Sequence, residues 1–187
     1  MLESINITSP IEAEVIKKLR VGTGVLISGV VYTARDAAHQ RLVQVIDNDE
    51  ELPFDIREQT LYYMGPSPSP PGRVIGSAGP TTSNRMDTYT PPLLAAGLRA
   101  MIGKGGRSPE VKEAIKKHKA IYFITIGGAG ALLSRAIKKA EVIAYPDLAA
   151  EAVMRLEVEN FPAIVANDIY GGDLFLQGRA GYKRKGV

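Results

Sequence analysis

The apolar residues of this chain recur with two periods, and the points where the period changes mark its elements. Residues 22–33 are rich in β-branched side chains and glycine, which predicts a strand, or a bent pair of strands, packed closely against a neighbour. Alanines from Ala34 onward, followed by Leu42, Val43, Val45 and Ile46, switch the spacing to that of a helix with one buried face. Residues 61–64 read as a short strand, the proline-rich run 65–72 as a surface connection, and residues 91–101 as a helix. Ser108-Pro109-Glu110 opens a further helix with an N-cap hydroxyl, proline at the first helical position and an acid in the first turn. Residues 120–126 are almost continuously apolar, as in a strand buried on both faces. Glycines at 127–130 then lead into a helix over 131–139 and a strand over 141–145, a β–α–β order that predicts partly parallel pairing. Residues 153–158 and 163–166 read as two strands, 167–172 as a turn, and 179–187 as a flexible basic tail. Residues 13–20 fit a helical turn or a strand equally well.

Composition narrows the class. With 187 residues, 45% hydrophobic and 23% charged, the chain reads as a single soluble domain over 1–187, long enough to bury a sizeable core. The net charge of +3 is spread along the sequence apart from Lys183-Arg184-Lys185, which argues against nucleic acid as the partner. The absence of cysteine excludes disulfides, thiolate metal sites and a self-ligated iron–sulfur cluster, so no metal ligands are expected in this chain. No basic-then-apolar leader and no run of 18 apolar residues is present, which predicts a cytoplasmic protein without membrane contact.

The chemistry concentrates in Gly79-Pro-Thr81-Thr82-Ser83-Asn84-Arg85-Met-Asp87, where turn formers, three hydroxyls, a guanidinium and a carboxylate share nine positions. Lying between a short apolar run and a helix start, such a loop favours an anion. Arg35, Asp36 and His39 fall at a strand-to-helix junction; taken alone they read as a solvated first turn, with His39 on the surface. Lys104 stands among Gly103, Gly105 and Gly106, where backbone and ammonium can approach a ligand, although a helix C-cap explains the glycines as well. The 127–130 glycines imitate a dinucleotide fingerprint, but the third glycine position is Leu133, and Asp147 is a weak ribose partner. A tight structural turn is the stronger reading there. Two arginines and a lysine at loop positions suit a small dianion, because each guanidinium can grip one carboxylate through two parallel N–H bonds.

These residues closely resemble the β subunit, or C-terminal domain, of class I iron–sulfur fumarate hydratases and the related L-tartrate dehydratases. The motifs that carry the resemblance are residues 79–87, Thr33-Ala-Arg35-Asp-Ala-Ala-His39 upstream, Gly103-Lys104-Gly105, and the later Gly-Gly-Ala-Gly-Ala-Leu segment. They cover the chain from about residue 10 to the Gly178 region. The resemblance implies a swivelling β/β/α-type fold and a partner α subunit whose cysteines hold a [4Fe–4S] cluster that acts as a Lewis acid. It implies hydration of fumarate to L-malate or, alternatively, tartrate dehydration, possible in an α2β2 assembly. Position by position it implies Thr81 as catalytic base, Arg35 and Arg85 on substrate carboxylates, and Lys104 at the site. Asp36, His39, Thr82 and Asp87 support them. The rival expectation from another class is a non-catalytic nucleotide-binding module using residues 127–130.

Overall fold

A computed structural model of the chain describes residues 4–182. Its elements run β1 (Ser4–Ser9), α1 (Ala13–Ile16), β2 (Gly24–Thr33), α2 (Asp36–Asp47), β3 (Thr60–Tyr62), α3 (Thr90–Ala95), β4 (Ala100–Gly103), α4 (Pro109–His118), β5 (Ile121–Ile124), α5 (Gly130–Leu133), β6 (Ile137–Ala144), β7 (Val153–Asn167) and α6 (Leu174–Tyr182). Short 3-10 turns cover Ser83–Met86, Ser134–Ala136 and Pro146–Glu151.

The fold is α/β with a mixed, partly parallel sheet. Strands β1 to β5 pair in parallel, β1 with β2 and then β2–β3–β4–β5. The fifteen-residue β7 runs antiparallel to β5, β6 and β2. Because β7 touches both ends of the β2–β3–β4–β5 series, the pairings close into a ring, with β1 and β6 attached outside it. Closure puts alternate side chains on two sides of each strand. Val25, Ile27, Tyr62, Ile102, Phe123 and Phe161 fill one core, while Leu61, Tyr63, Met101 and Tyr122 face a second core with Leu42, Leu93, Leu94, Val111 and Ile115 from the helices. Each such fully buried side chain contributes about 1.5–3 kcal/mol.

Several sequence expectations change here. Of residues 22–33, Gly24–Thr33 form one strand, bent where its register against β7 slips between Ile27 and Gly29. Gly29 sits there at φ +108°, and a Cβ on it would lie 2.2 Å from the Ser9 carbonyl oxygen, so only glycine fits. The helix expected over 91–101 stops at Ala95; Gly97 turns the chain at φ +109° and residues 100–103 become β4. The helix expected over 131–139 ends at Leu133, and Ile137 onward joins β6, because pairing with the long β7 overrides the local helical preference of its alanines and lysines. The two strands of the β–α–β unit do not pair with each other: β5 and β6 both run antiparallel to β7, which lies between them in the sheet. The two strands expected over 153–166 are the single β7. Residues 179–182, expected at the start of a flexible tail, continue α6, and the rest of that tail, with Lys183–Lys185, lies outside the described residues.

Candidate active site

Parallel strands deliver their following loops to one edge, the place where open α/β sheets bind ligands. Arg35 follows β2, Tyr63 and Met64 continue β3, and Lys104 follows β4, so these residues are neighbours along the C-terminal ends of adjacent strands. The 80–87 loop lies across that edge. Pro80 bridges to Met64 and Thr82 to Lys104, and the Thr81 N–H donates to the Tyr63 carbonyl at 2.6 Å. The Ser83 N–H donates to the Lys104 carbonyl at 2.9 Å, and the Lys104 N–H donates back to Ser83 Oγ at 3.1 Å. Ser83 is buried, whereas Thr81 is half-buried and Thr82 is exposed.

Arg35 and Arg85 converge on Asp36. Arg85 Nε donates to Asp36 Oδ1 at 2.7 Å, and Arg35 Nη2 lies 3.6 Å from Asp36 Oδ2. The Arg35 side chain is 22% exposed and that of Arg85 52%, so the pair is open to an incoming anion. Arg35 Nε is buried and has no acceptor among the described residues. A buried donor left unpaired costs about 1–3 kcal/mol, and Asp36 Oδ2, 3.6 Å from Arg35 Nη2, is likewise buried without a hydrogen-bond partner among the described residues. Lys104 passes over the glycine turn: a Cβ on Gly127 would lie 3.4 Å from Lys104 Cδ.

His39 is buried, not on the surface as its first-turn position suggested. The N-terminal turn of α2 faces Tyr63, with the two rings edge to face at 5.1 Å between centroids. Its Nδ1 is 2.9 Å from the Arg35 carbonyl, which can only accept, so the proton sits on Nδ1 and the ring fixes the backbone that carries Arg35. Burial pulls the imidazole from its ordinary value near 6.5 down to about 4, against the raising effect of that hydrogen bond. The folded chain therefore keeps His39 neutral where the unfolded chain takes up a proton. Stability from this group is lost as pH falls from about 6.5 to about 4. His39→Asn retains an N–H for the Arg35 carbonyl, so it should remove this acid sensitivity, about 3 kcal/mol across the window by linkage. Urea unfolding at pH 7.5 and pH 4.5 measures it, and an unchanged pH dependence in the variant rules the assignment out.

Asp87 does not reach Arg35 or Arg85. It holds Arg107, whose Nε donates to Asp87 Oδ1 at 2.7 Å, and the Ser108 N–H, which donates to Oδ2 at 2.8 Å. The 127–130 glycines serve close backbone packing: a Cβ on Gly130 would lie 2.8 Å from Gly79 N, and the Ala78 N–H donates to the Gly130 carbonyl at 3.0 Å. The four-residue α5 behind them is one turn long, and Asp147 is paired on the surface with Arg41. Both observations leave the dinucleotide pattern without the helix and the acid it would need.

Sequence reasoning missed Glu151 and Arg107. Glu151 Oε1 lies 3.2 Å from Arg35 Nη2, and its Oε2 accepts the Ala37 N–H at 3.0 Å, tying the segment before β7 to the start of α2. Glu151 and Arg35 are more than a hundred positions apart, with no local signal linking them.

Among the described residues, no group of three or more His, Cys, Asp or Glu side chains is placed to hold a metal, and no helix is long and apolar enough to cross a membrane. Fold and site together define an α/β domain with a cationic, hydroxyl-bearing edge at the ends of parallel strands. The family model described as Fumarase C-terminus matches residues 1–178, and the chain belongs to that family. It is 43% identical over 159 residues to the aerobic class I fumarate hydratase of Escherichia coli strain K12, covering 84% of this chain and 29% of that protein. It is 38% identical over 179 residues to the mitochondrial fumarate hydratase 1 of Leishmania major, covering 95% and 33%. A Methanocaldococcus jannaschii protein named as L(+)-tartrate dehydratase subunit beta is 36% identical over 166 residues, covering 86% and 85%. The chain thus spans about a third of the length of these fumarate hydratases and most of the length of the subunit.

Proposed function

We propose that this chain is the β part of a two-part cytoplasmic hydro-lyase that interconverts fumarate and L-malate. The observation that carries the reading is the convergence of Arg35 and Arg85 on one carboxylate, Asp36, at the edge where Thr81 stands. Two guanidinium groups held this close together can each take one carboxylate of a small dicarboxylate, which fixes the carbons between them. Lys104 adds a third positive charge, and Asp36, His39 and Glu151 orient the arginines. In the dehydrating direction Thr81 takes the proton from the carbon beside the one that loses hydroxide. An alkyl hydroxyl is a weak base at neutral pH, so this role depends on the cations around it to favour the alkoxide.

The family resemblance implies a [4Fe–4S] cluster, which needs cysteine thiolates. This chain has none, and its residues do not fit the group. We therefore assign the cluster to a cysteine-bearing α subunit, with α2β2 as the proposed assembly, and derive the role of this chain from its own side chains alone. The Methanocaldococcus jannaschii relative is named as a beta subunit acting on L(+)-tartrate, which supports the two-chain arrangement and a second substrate reading, L-tartrate.

The test is anaerobic co-expression with a cysteine-bearing partner, assayed on fumarate and L-tartrate separately. Oxygen-sensitive hydration of fumarate by the complex, with the isolated chain inactive, is the expected result. Dehydration of tartrate alone would shift the substrate to the second reading. Inactivity of the complex towards both, together with tight NAD or ATP binding by the isolated chain in calorimetry, would replace the reading with the nucleotide-binding module.

A further inference from the structure

Arg107 is the one charged side chain of the 80–107 region enclosed by the protein, with its side chain 0% exposed. Its donors reach three separate segments. Nε donates to Asp87 Oδ1 at 2.7 Å, Nη2 to Thr90 Oγ1 at 2.7 Å and Nη1 to Tyr63 Oη at 3.2 Å. The guanidinium carbon also lies 5.3 Å from the Tyr63 ring centroid and 4.9 Å from that of Tyr122. Burial pushes the Tyr122 phenol up, so it stays protonated.

Nη1 also lies 3.8 Å from Met101 Sδ in β4, and every other group that Arg107 touches holds the 80–87 loop at a different point. The Tyr63 carbonyl accepts the Thr81 N–H, and Thr90 Oγ1 donates to the Met86 carbonyl at 2.8 Å. Asp87 ends the 3-10 turn that carries Arg85. The Tyr122 hydroxyl lies 2.8 Å from both the Gly105 carbonyl and Ser83 Oγ. Since the carbonyl can only accept, it takes the phenol proton, and Ser83 donates to the phenol while receiving the Lys104 N–H. A planar cation with a fixed fork of donors can hold such a set in one arrangement, which a flexible ammonium cannot.

We propose that Arg107 is a positioning residue for the reaction, fixing the loop from beneath so that the Thr81 hydroxyl and the Arg85 guanidinium face the same substrate. The inference rests on the reading of Thr81 and Arg85 given under the proposed function. It distinguishes Arg107 from a buried ion pair that serves stability alone. Positioning of reacting groups is sensitive on the ångström scale, where a small displacement costs up to about a hundredfold in rate.

Arg107→Lys keeps the charge and one link to Asp87 but loses the fork. In the assembled enzyme, at matched amounts of folded protein, kcat should fall about thirty-fold with a smaller change in KM. Hydrogen exchange should accelerate at the amides of Thr81 and Ser83 while those of Ile121 and Phe123 keep their protection. Tyr63→Phe removes only one of the contacted hydroxyls, and should shift kcat and the same two amides in the same direction by less. This second variant decides the matter if Arg107→Lys does not fold. Normal kcat per folded site in either variant, with loop exchange unchanged, overturns the proposal. If the wild-type complex acts on neither fumarate nor tartrate, the functional reading fails instead, and loop exchange still shows whether Arg107 orders residues 80–87.

Discussion

Replacing Thr81 with alanine is expected to lower kcat of the assembled enzyme by about 10²–10⁴-fold, the range that a single general acid or base supplies, while dicarboxylate affinity changes little. The separation follows from how the residue is held. Thr81 is fixed through its backbone, by the N–H bond to the Tyr63 carbonyl, so removing Oγ1 and a methyl leaves the loop anchored. The contacts of Arg35 and Arg85 with Asp36 do not involve Thr81, so both arginines should still bind the substrate carboxylates. Thr81→Ser restores the hydroxyl without the methyl and should recover most of the rate. Steady-state kinetics with calorimetric titration of a dicarboxylate inhibitor measures both quantities. Near-normal turnover in the alanine variant would remove Thr81 from the chemistry, and an equal loss of affinity would make it a binding residue.

The 80–87 loop was legible in the sequence because its character is local: turn formers, hydroxyls and an arginine in consecutive positions allow few core readings. The same holds for α4, where Ser108 Oγ accepts the Val111 N–H as its cap signature predicts. What could not be read was set by distant partners. Residues 137–139 look helical in isolation and become strand because β7 lies beside them. His39 looks like a solvated first-turn residue until β3 brings Tyr63 against it. Glu151 meets Arg35 only because the chain returns along β7 to the start of α2. The resemblance to a family added assigned roles, but the convergence of two arginines on Asp36 is a fact of the fold.

Arg85→Lys should cost about 10- to 150-fold in kcat/KM for the dicarboxylate, equivalent to one charge-assisted hydrogen bond of about 1.5–3 kcal/mol, and leave stability almost untouched. The two effects separate because Arg85 is 52% exposed and its ion pair with Asp36 is a surface one. Such pairs contribute about 0–1 kcal/mol to folding. Lysine keeps the charge but cannot present two parallel N–H bonds, so the loss reports geometry and not net charge. Arg35→Lys should behave alike in kinetics but also disturb folding, since Arg35 lies against Gly65, where a Cβ would come within 2.9 Å of its Cδ, and pairs with Glu151. If the two arginines grip opposite ends of the substrate, a monocarboxylate analogue loses one grip in advance. One of the two lysine variants should then leave its kcat/KM nearly unchanged, and the other should lower it as it does for the dicarboxylate. Equal losses on both substrates from both variants would mean that the arginines share one carboxylate, as they share Asp36 here, and that Lys104 or the partner subunit holds the other.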